Sequence, residues 1–194
     1  MKGALLIILP LCIFLLIFVG YIIRSQLANN SISMSTSNHI ASINNTLRLT
    51  IKSSVFDDNG FIPKIYTCEG NSINPPLSFL NIPKHTKSLA LVVLDPDAPG
   101  GTWTHWILYN ISPETTQIYQ NSVPSGASQG ITSGNKNGYE PPCPPSGTHR
   151  YIFTLYSLDL TLSLSKPTRF EIENAIKGHI IEKAILTGLY QKGK

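Results

Sequence analysis

The chain has 194 residues, of which 42% are hydrophobic and only 13% charged, with a formal charge of +4 and a pI near 9.0. A low charged fraction with 14 Gly and 14 Pro fits a compact, loop-rich β protein, and the length behind an apolar N-terminus is that of one ordinary domain with one core. Lys and Arg are scattered and no basic run is interleaved with aromatics, which excludes nucleic acid as the expected partner.

No charged residue lies between Gly3 and Ile23, and Lys2 and Arg24 flank this run. About 20 apolar residues cross a bilayer as a helix, whereas a cleaved signal peptide has an apolar region of about 7 to 15 residues. Residues 1–24 are therefore expected to form a transmembrane anchor or signal-anchor. Cys12 follows Leu9-Pro10-Leu11, without the small residue that lipoprotein processing needs. Lys2 and the amino terminus together outweigh Arg24, which places the N-terminus inside. The expected localisation is a single-pass membrane protein with its domain outside the cytoplasm. Residues 25–46 are rich in Ser and Asn, carry one titratable side chain, His39, and show no apolar period, so they are expected to be a flexible tether.

The folded domain is expected over 47–194. Leu47, Leu49 and Ile51 alternate with polar residues as a strand does, and Asp57-Asp58-Asn59-Gly60 supplies a turn. Asn74 to Phe79 reads as an extended segment and Pro83-Lys84 as another turn. Ser88 to Leu94 is almost wholly apolar, the mark of a strand covered on both faces, and it ends at Asp95. Trp106 to Ile111 is the next strand. Thr115 to Asn137 is a long connection rich in Gly, Ser and Asn, of a kind that is often functional or mobile. Tyr151 to Leu158 forms a third strong strand. Thr168-Arg169-Phe170-Glu171 fits a capping box, and Ile172, Ile176, Ile180 and Ala184 recur every four residues, which predicts a C-terminal helix with one apolar stripe.

Cys68 and Cys143 are compatible with a disulfide or with two buried thiols. Their spacing makes no zinc motif, and neither has neighbours that would activate it as a nucleophile.

Candidate function lies at the strand ends. Asp95-Pro96-Asp97-Ala98-Pro99 leads into Trp103-Thr104-His105-Trp106, and Pro144-Pro145-Ser146-Gly147-Thr148 leads into His149-Arg150-Tyr151. A lone Asp-Pro-Asp is first of all a turn, and a lone histidine at a strand entry is first of all a core residue. The conjunction of two acids, two imidazoles and Pro-rich loops beside apolar strands points instead to one shared pocket. A carboxylate near an imidazole favours its charged form, so His105 or His149 would offer a cationic donor near neutral pH.

These residues resemble the phosphatidylethanolamine-binding protein (PEBP) family, and most closely its bacterial, Raf kinase inhibitor-like branch. The similarity runs from about Phe61 to Tyr190. It passes through Ile62-Pro63, Tyr66-Thr67-Cys68-Glu69-Gly70, Pro75-Pro76-Leu77, Lys87-Ser88-Leu89-Ala90, the Asp-Pro-Asp-Ala-Pro block, Trp103-x-His105-Trp106, Gly138-Tyr139 and His149-Arg150-Tyr151. The resemblance implies a mainly β fold, with a large central sheet packed on a smaller one and a C-terminal helix. It also implies a small, preformed pocket for phosphate-type or phospholipid head groups, lined by Asp95, Asp97, His105 and His149 and walled by Ala98, Pro99, Pro145 and Tyr151. Family members are associated with inhibition of kinases or proteases, so a protein partner is part of the expectation. No cofactor is implied, and no catalytic residue. One position departs from the bacterial pattern: Pro141 stands where Gly is usual. A C-terminal extension that gates the pocket in some animal members is expected to be absent, since the chain stops soon after Tyr190. Two other readings stay open: a metal-dependent hydrolase using the His and Asp cluster, and an interaction domain whose pocket is vestigial.

Overall fold

The computed structural model describes residues 18–37 and 48–193. Most of the expected membrane anchor and the last part of the expected tether lie outside the described residues. The chain divides into two units, Met1–Leu47 and Arg48–Lys194. In the first, residues 18–37 form a helix, α1. Residues 25–37 are thus helical rather than the flexible tether that their composition suggests. Within it the polar side chains bond locally: Ser31 Oγ donates to the Leu27 carbonyl and Thr36 Oγ1 to the Ile32 carbonyl, each at 2.9 Å. Such back-bonding satisfies the hydroxyls inside the helix, although it does not by itself favour helix formation. Among the described residues no helix is long and apolar enough to cross a membrane.

The second unit runs β1 (Thr50–Lys52), β2 (Gly60–Phe61), β3 (Leu77–Leu80), β4 (Ser88–Asp95), β5 (Trp103–Ile111), β6 (Gln117–Ile118), β7 (Ser128–Gln129), β8 (Thr148–Leu158), α2 (Arg169–Ile176) and β9 (Ile180–Gln191). A six-stranded sheet has the order β2-β9-β8-β4-β5-β7, and a three-stranded sheet the order β1-β3-β6. All pairs are antiparallel except β2 with β9. The two-sheet, mainly β architecture with a C-terminal helix is the one that the family resemblance implies.

Strand β4 lies between β8 and β5, and its alternating residues feed two cores. Leu89, Leu91 and Val93 pack with Phe79, Ile51, Trp106 and Phe153, residues of both sheets. Ala90 and Val92 pack on the other side with Ile107, Tyr109, Ile172 and Ile176, where α2 covers the large sheet. Burial on both faces is why this strand reads as a continuous apolar run. On β5, Asn110 takes φ 55 and the pairing with β4 shifts register between Leu89 and Leu91. Its side chain leaves the sheet, donating to the Leu162 carbonyl at 2.8 Å and accepting the Leu162 N–H at 2.7 Å.

The C-terminal helix is shorter than its apolar spacing suggests. Glu171 reaches back to the Thr168 N–H and hydroxyl, both at 2.8 Å, and opens α2. The helix ends at Ile176, Gly178 has φ 83, and Ile180 and Ala184 belong to β9. Left-handed backbone at a glycine terminates a helix readily. Beyond it Ala184, Leu186 and Tyr190 are buried, two or four residues apart, the period of a strand. The connection from Thr115 to Asn137 is likewise built into the fold: β6 extends the small sheet and β7 forms an edge of the large one.

Candidate functional site

Because β4 is antiparallel to both neighbours, its C-terminal end lies beside the N-terminal ends of β5 and β8. Asp95 pairs with Trp103, and Leu94 with both Thr104 and Ile152. This topology alone brings Asp95, His105, His149 and Tyr151 to one end of the sheet. Pairing skips from Val93–Trp106 to Leu94–Thr104, leaving His105 as the extra residue of a bulge. Bulges re-aim side chains, and they recur beside functional sites.

The four residues border a cavity of about 240 Å³, whose other walls are Ala98, Pro99, Gly100, Trp103, Glu140, Pro141, Cys143, Pro144 and Pro145. Asp95 is buried, and both of its oxygens are engaged: Oδ1 accepts the Asp97 N–H at 2.8 Å, and Oδ2 pairs with His149 Nδ1 at 2.7 Å. The acid therefore fixes the His149 ring. His105 is clamped twice to one residue, since its Nδ1 donates to the Glu140 carbonyl at 2.8 Å and its own carbonyl accepts the Glu140 N–H at 2.8 Å. A carbonyl only accepts, so Nδ1 of His105 carries the hydrogen. Burial lowers the His105 pKa and favours the neutral ring, which leaves Nε2 with a bare lone pair. The sequence left His105 or His149 as the cationic donor, and for His105 burial works against that charge. The ring also stands edge-on to Tyr151, with centroids 5.1 Å apart. With Nδ1 of each imidazole occupied, Nε2 is the nitrogen that each has left for the cavity.

Tyr151 is fully buried, and its hydroxyl has no hydrogen-bond partner among the described residues. The Cys143 backbone approaches the hydroxyl short of hydrogen-bonding geometry. Burial pushes the Tyr151 pKa far up, so the group stays a neutral O–H. A buried hydroxyl without a partner is uncommon in native folds and costs about 1–3 kcal/mol.

Asp97 does not line the cavity. Arg150 grips it with Nε at 2.9 Å, a terminal nitrogen at 2.7 Å and its backbone N–H at 2.9 Å. The guanidinium holds the Asp97 carboxyl down to about 2. This acid thus staples the β4–β5 loop to β8. The remaining expected residues, Ala98, Pro99 and Pro145, are walls of the cavity.

The wall from Glu140 to Pro145 is held from outside. Cys68 and Cys143 form a disulfide with Cα atoms 5.4 Å apart, and the Cys68 N–H donates to the Pro142 carbonyl at 3.0 Å. Pro141, the departure from the bacterial pattern, lies in this wall. The sequence reading missed Gly100, Trp103, Glu140, Pro141, Cys143 and Pro144 as lining residues. The Pro-rich run just before His149 was the available signal for three of these walls. Among the described residues no three His, Cys, Asp or Glu side chains are grouped to hold a metal ion.

A two-sheet, mainly β domain with a cavity at the end of its central strands defines the class of fold. The family model described as phosphatidylethanolamine-binding protein matches residues 52–191, and the chain belongs to that family. A UPF0098 protein of Methanothermobacter thermautotrophicus is 44% identical over 151 residues, covering 75% of this chain and all of the relative. A UPF0098 protein of Chlamydia trachomatis is 42% identical over 150 residues, 74% of this chain and 99% of its own length. Among solved structures, a PEBP homologue from Chlamydia trachomatis superposes with a TM-score of 0.73 at 41% identity, covering 75% of this chain and 99% of that one. YbcL of E. coli, described as a new member of the mammalian PEBP family, gives 0.70 at 27% identity, over 74% and 98% of the two chains.

Proposed function

We propose that the domain is a binding module, not an enzyme, and that its cavity receives a phosphate-type head group. The observation that carries this reading is the Tyr151 hydroxyl, buried at the cavity with no partner of its own. A ligand oxygen would satisfy it, and Nε2 of His149 would donate to a second oxygen whenever that ring is protonated. A volume of about 240 Å³ suits a head group rather than a whole lipid. Chemistry needs a positioned nucleophile as well as a binding pocket. Among the described residues the cavity is lined by no serine, threonine or free thiol, and its one cysteine is in the disulfide.

The same proposal places the domain outside the cytoplasm on an N-terminal membrane anchor. The uncharged run from Gly3 to Ile23 supports it, as does a disulfide, which persists chiefly in oxidising compartments. Titration calorimetry of the folded protein with inorganic phosphate tests the site. His149→Ala should lower the affinity at least about tenfold, the loss of one charge-assisted hydrogen bond. Identical affinities for wild type and variant would refute the assignment.

A further inference from the structure

The cavity carries an unusual hydrogen-bonding demand, and we propose that it selects the singly protonated form of a phosphate monoester over a phosphodiester, with the P–OH donating to Nε2 of His105. The proposal rests on the phosphate-binding reading above and specifies which phosphate.

Two observations lead to it. The first is the fixed tautomer of His105. Its Nδ1–H is committed to the Glu140 carbonyl, and the Glu140 N–H in turn holds the His105 backbone beside that carbonyl, so the ring cannot turn over without losing its Nδ1 bond. The nitrogen left for the cavity is an acceptor and needs a donor from the ligand. A phosphodiester anion has no hydrogen to give. Phosphate monoesters lose their second proton at a pKa of about 6, so near that pH they still carry a P–OH beside anionic oxygens. One molecule then matches the whole set: its O–H faces His105 Nε2, while its other oxygens face the Tyr151 hydroxyl and His149 Nε2.

The second observation is charge. Asp95 and Glu140 both border the cavity, and no Lys or Arg does among the described residues. Arg150, the nearest cation in sequence, is committed to Asp97. The Glu140 carboxylate accepts the Gly134 N–H at 3.2 Å, so the Asp95 carboxylate, paired with His149, is the negative charge a phosphate dianion would meet, and the singly charged species is the better occupant. Charge thus disfavours the dianion, and the missing proton disfavours the diester.

A lipid head group offers one other donor, the ethanolamine ammonium. The test therefore compares three probes on the same protein at pH 6 by titration calorimetry: phenyl phosphate, methyl phenyl phosphate and glycerophosphoethanolamine. Phenyl phosphate should bind at least about tenfold tighter than both diesters, the effect of leaving one buried acceptor without its donor. Equal binding of methyl phenyl phosphate would overturn the selectivity while leaving phosphate binding intact. Equal binding of glycerophosphoethanolamine would assign the donor to an ammonium and overturn it in the same way. Failure of all three to bind would overturn both this proposal and the phosphate-binding reading. Nitrogen-15 spectroscopy of the His105 ring supplies a second readout: Nδ1 protonated and Nε2 bare in the free protein supports the proposal, and the reverse tautomer contradicts it.

Discussion

The two faces of the large sheet bury polar groups in opposite ways. Under α2, each buried polar atom finds a partner in the chain: the Tyr109 hydroxyl donates to the Leu164 carbonyl, Ser88 Oγ to the Leu160 carbonyl, and Asn110 makes both of its bonds to Leu162. At the cavity end, Asp95, His105 and Tyr151 are as deeply buried, yet Tyr151 Oη has no partner and neither imidazole has its second nitrogen committed. Satisfied polar groups hold a fold together. Unsatisfied ones held rigidly in a cavity lower stability, and they are the ground for the proposed ligand.

The contrast can be broken most severely at the cavity wall. Replacing Cys68 and Cys143 together by alanine opens a loop of 75 residues and should lower stability by about 4 kcal/mol in the chain-entropy account. It should also weaken phosphate binding, because the Glu140 to Pro145 wall and the His105 clamp lose their outer tether. Urea unfolding and calorimetry on the same preparation check both halves. Ile172→Ala, on the α2 side, should cost about 3 kcal/mol by leaving a cavity in hydrocarbon. Phosphate affinity measured on that variant while folded should stay unchanged, and a parallel loss would show that the two faces are not independent.

Tyr151→Phe sharpens the comparison by reversing the usual sign. Removing a buried hydroxyl that has no partner should stabilise the protein by about 1 kcal/mol and at the same time reduce phosphate affinity. Destabilisation by a similar amount would mean that the hydroxyl is already satisfied. The smallest effect belongs to Asp97, whose pair with Arg150 is partly exposed and so contributes under about 1 kcal/mol. Its folded carboxyl lies at about 2, below the ordinary value of 3.8. The contribution is therefore fully present above the ordinary value and is lost as pH falls through about 2. Asp97→Asn should flatten that acid limb in thermal melts and leave neutral-pH binding close to wild type.

Much of this was legible before any coordinates. The apolar runs of β4, β5 and β8 announce buried strands, and an acid or histidine at each strand end predicts convergence, because antiparallel neighbours meet there. Asp97 was misplaced because alternation and turn chemistry do not reveal that Arg150, one residue past His149, would capture it. The last strand was read as helix because Ile172, Ile176, Ile180 and Ala184 are spaced by four, a spacing that strand and helix share. Only the alternation of Ala184, Leu186 and Tyr190 and the break at Gly178 separate the two. Helix α1 hid behind a polar composition whose hydroxyls turn inward onto their own carbonyls.

The most direct measurement of the central claim is a crystal structure of the folded domain with inorganic phosphate at a concentration that saturates the calorimetric signal. Phosphate is expected in the cavity with one oxygen on Tyr151 Oη and another on His149 Nε2. Saturable binding with the cavity holding only water and the phosphate seated elsewhere would contradict it.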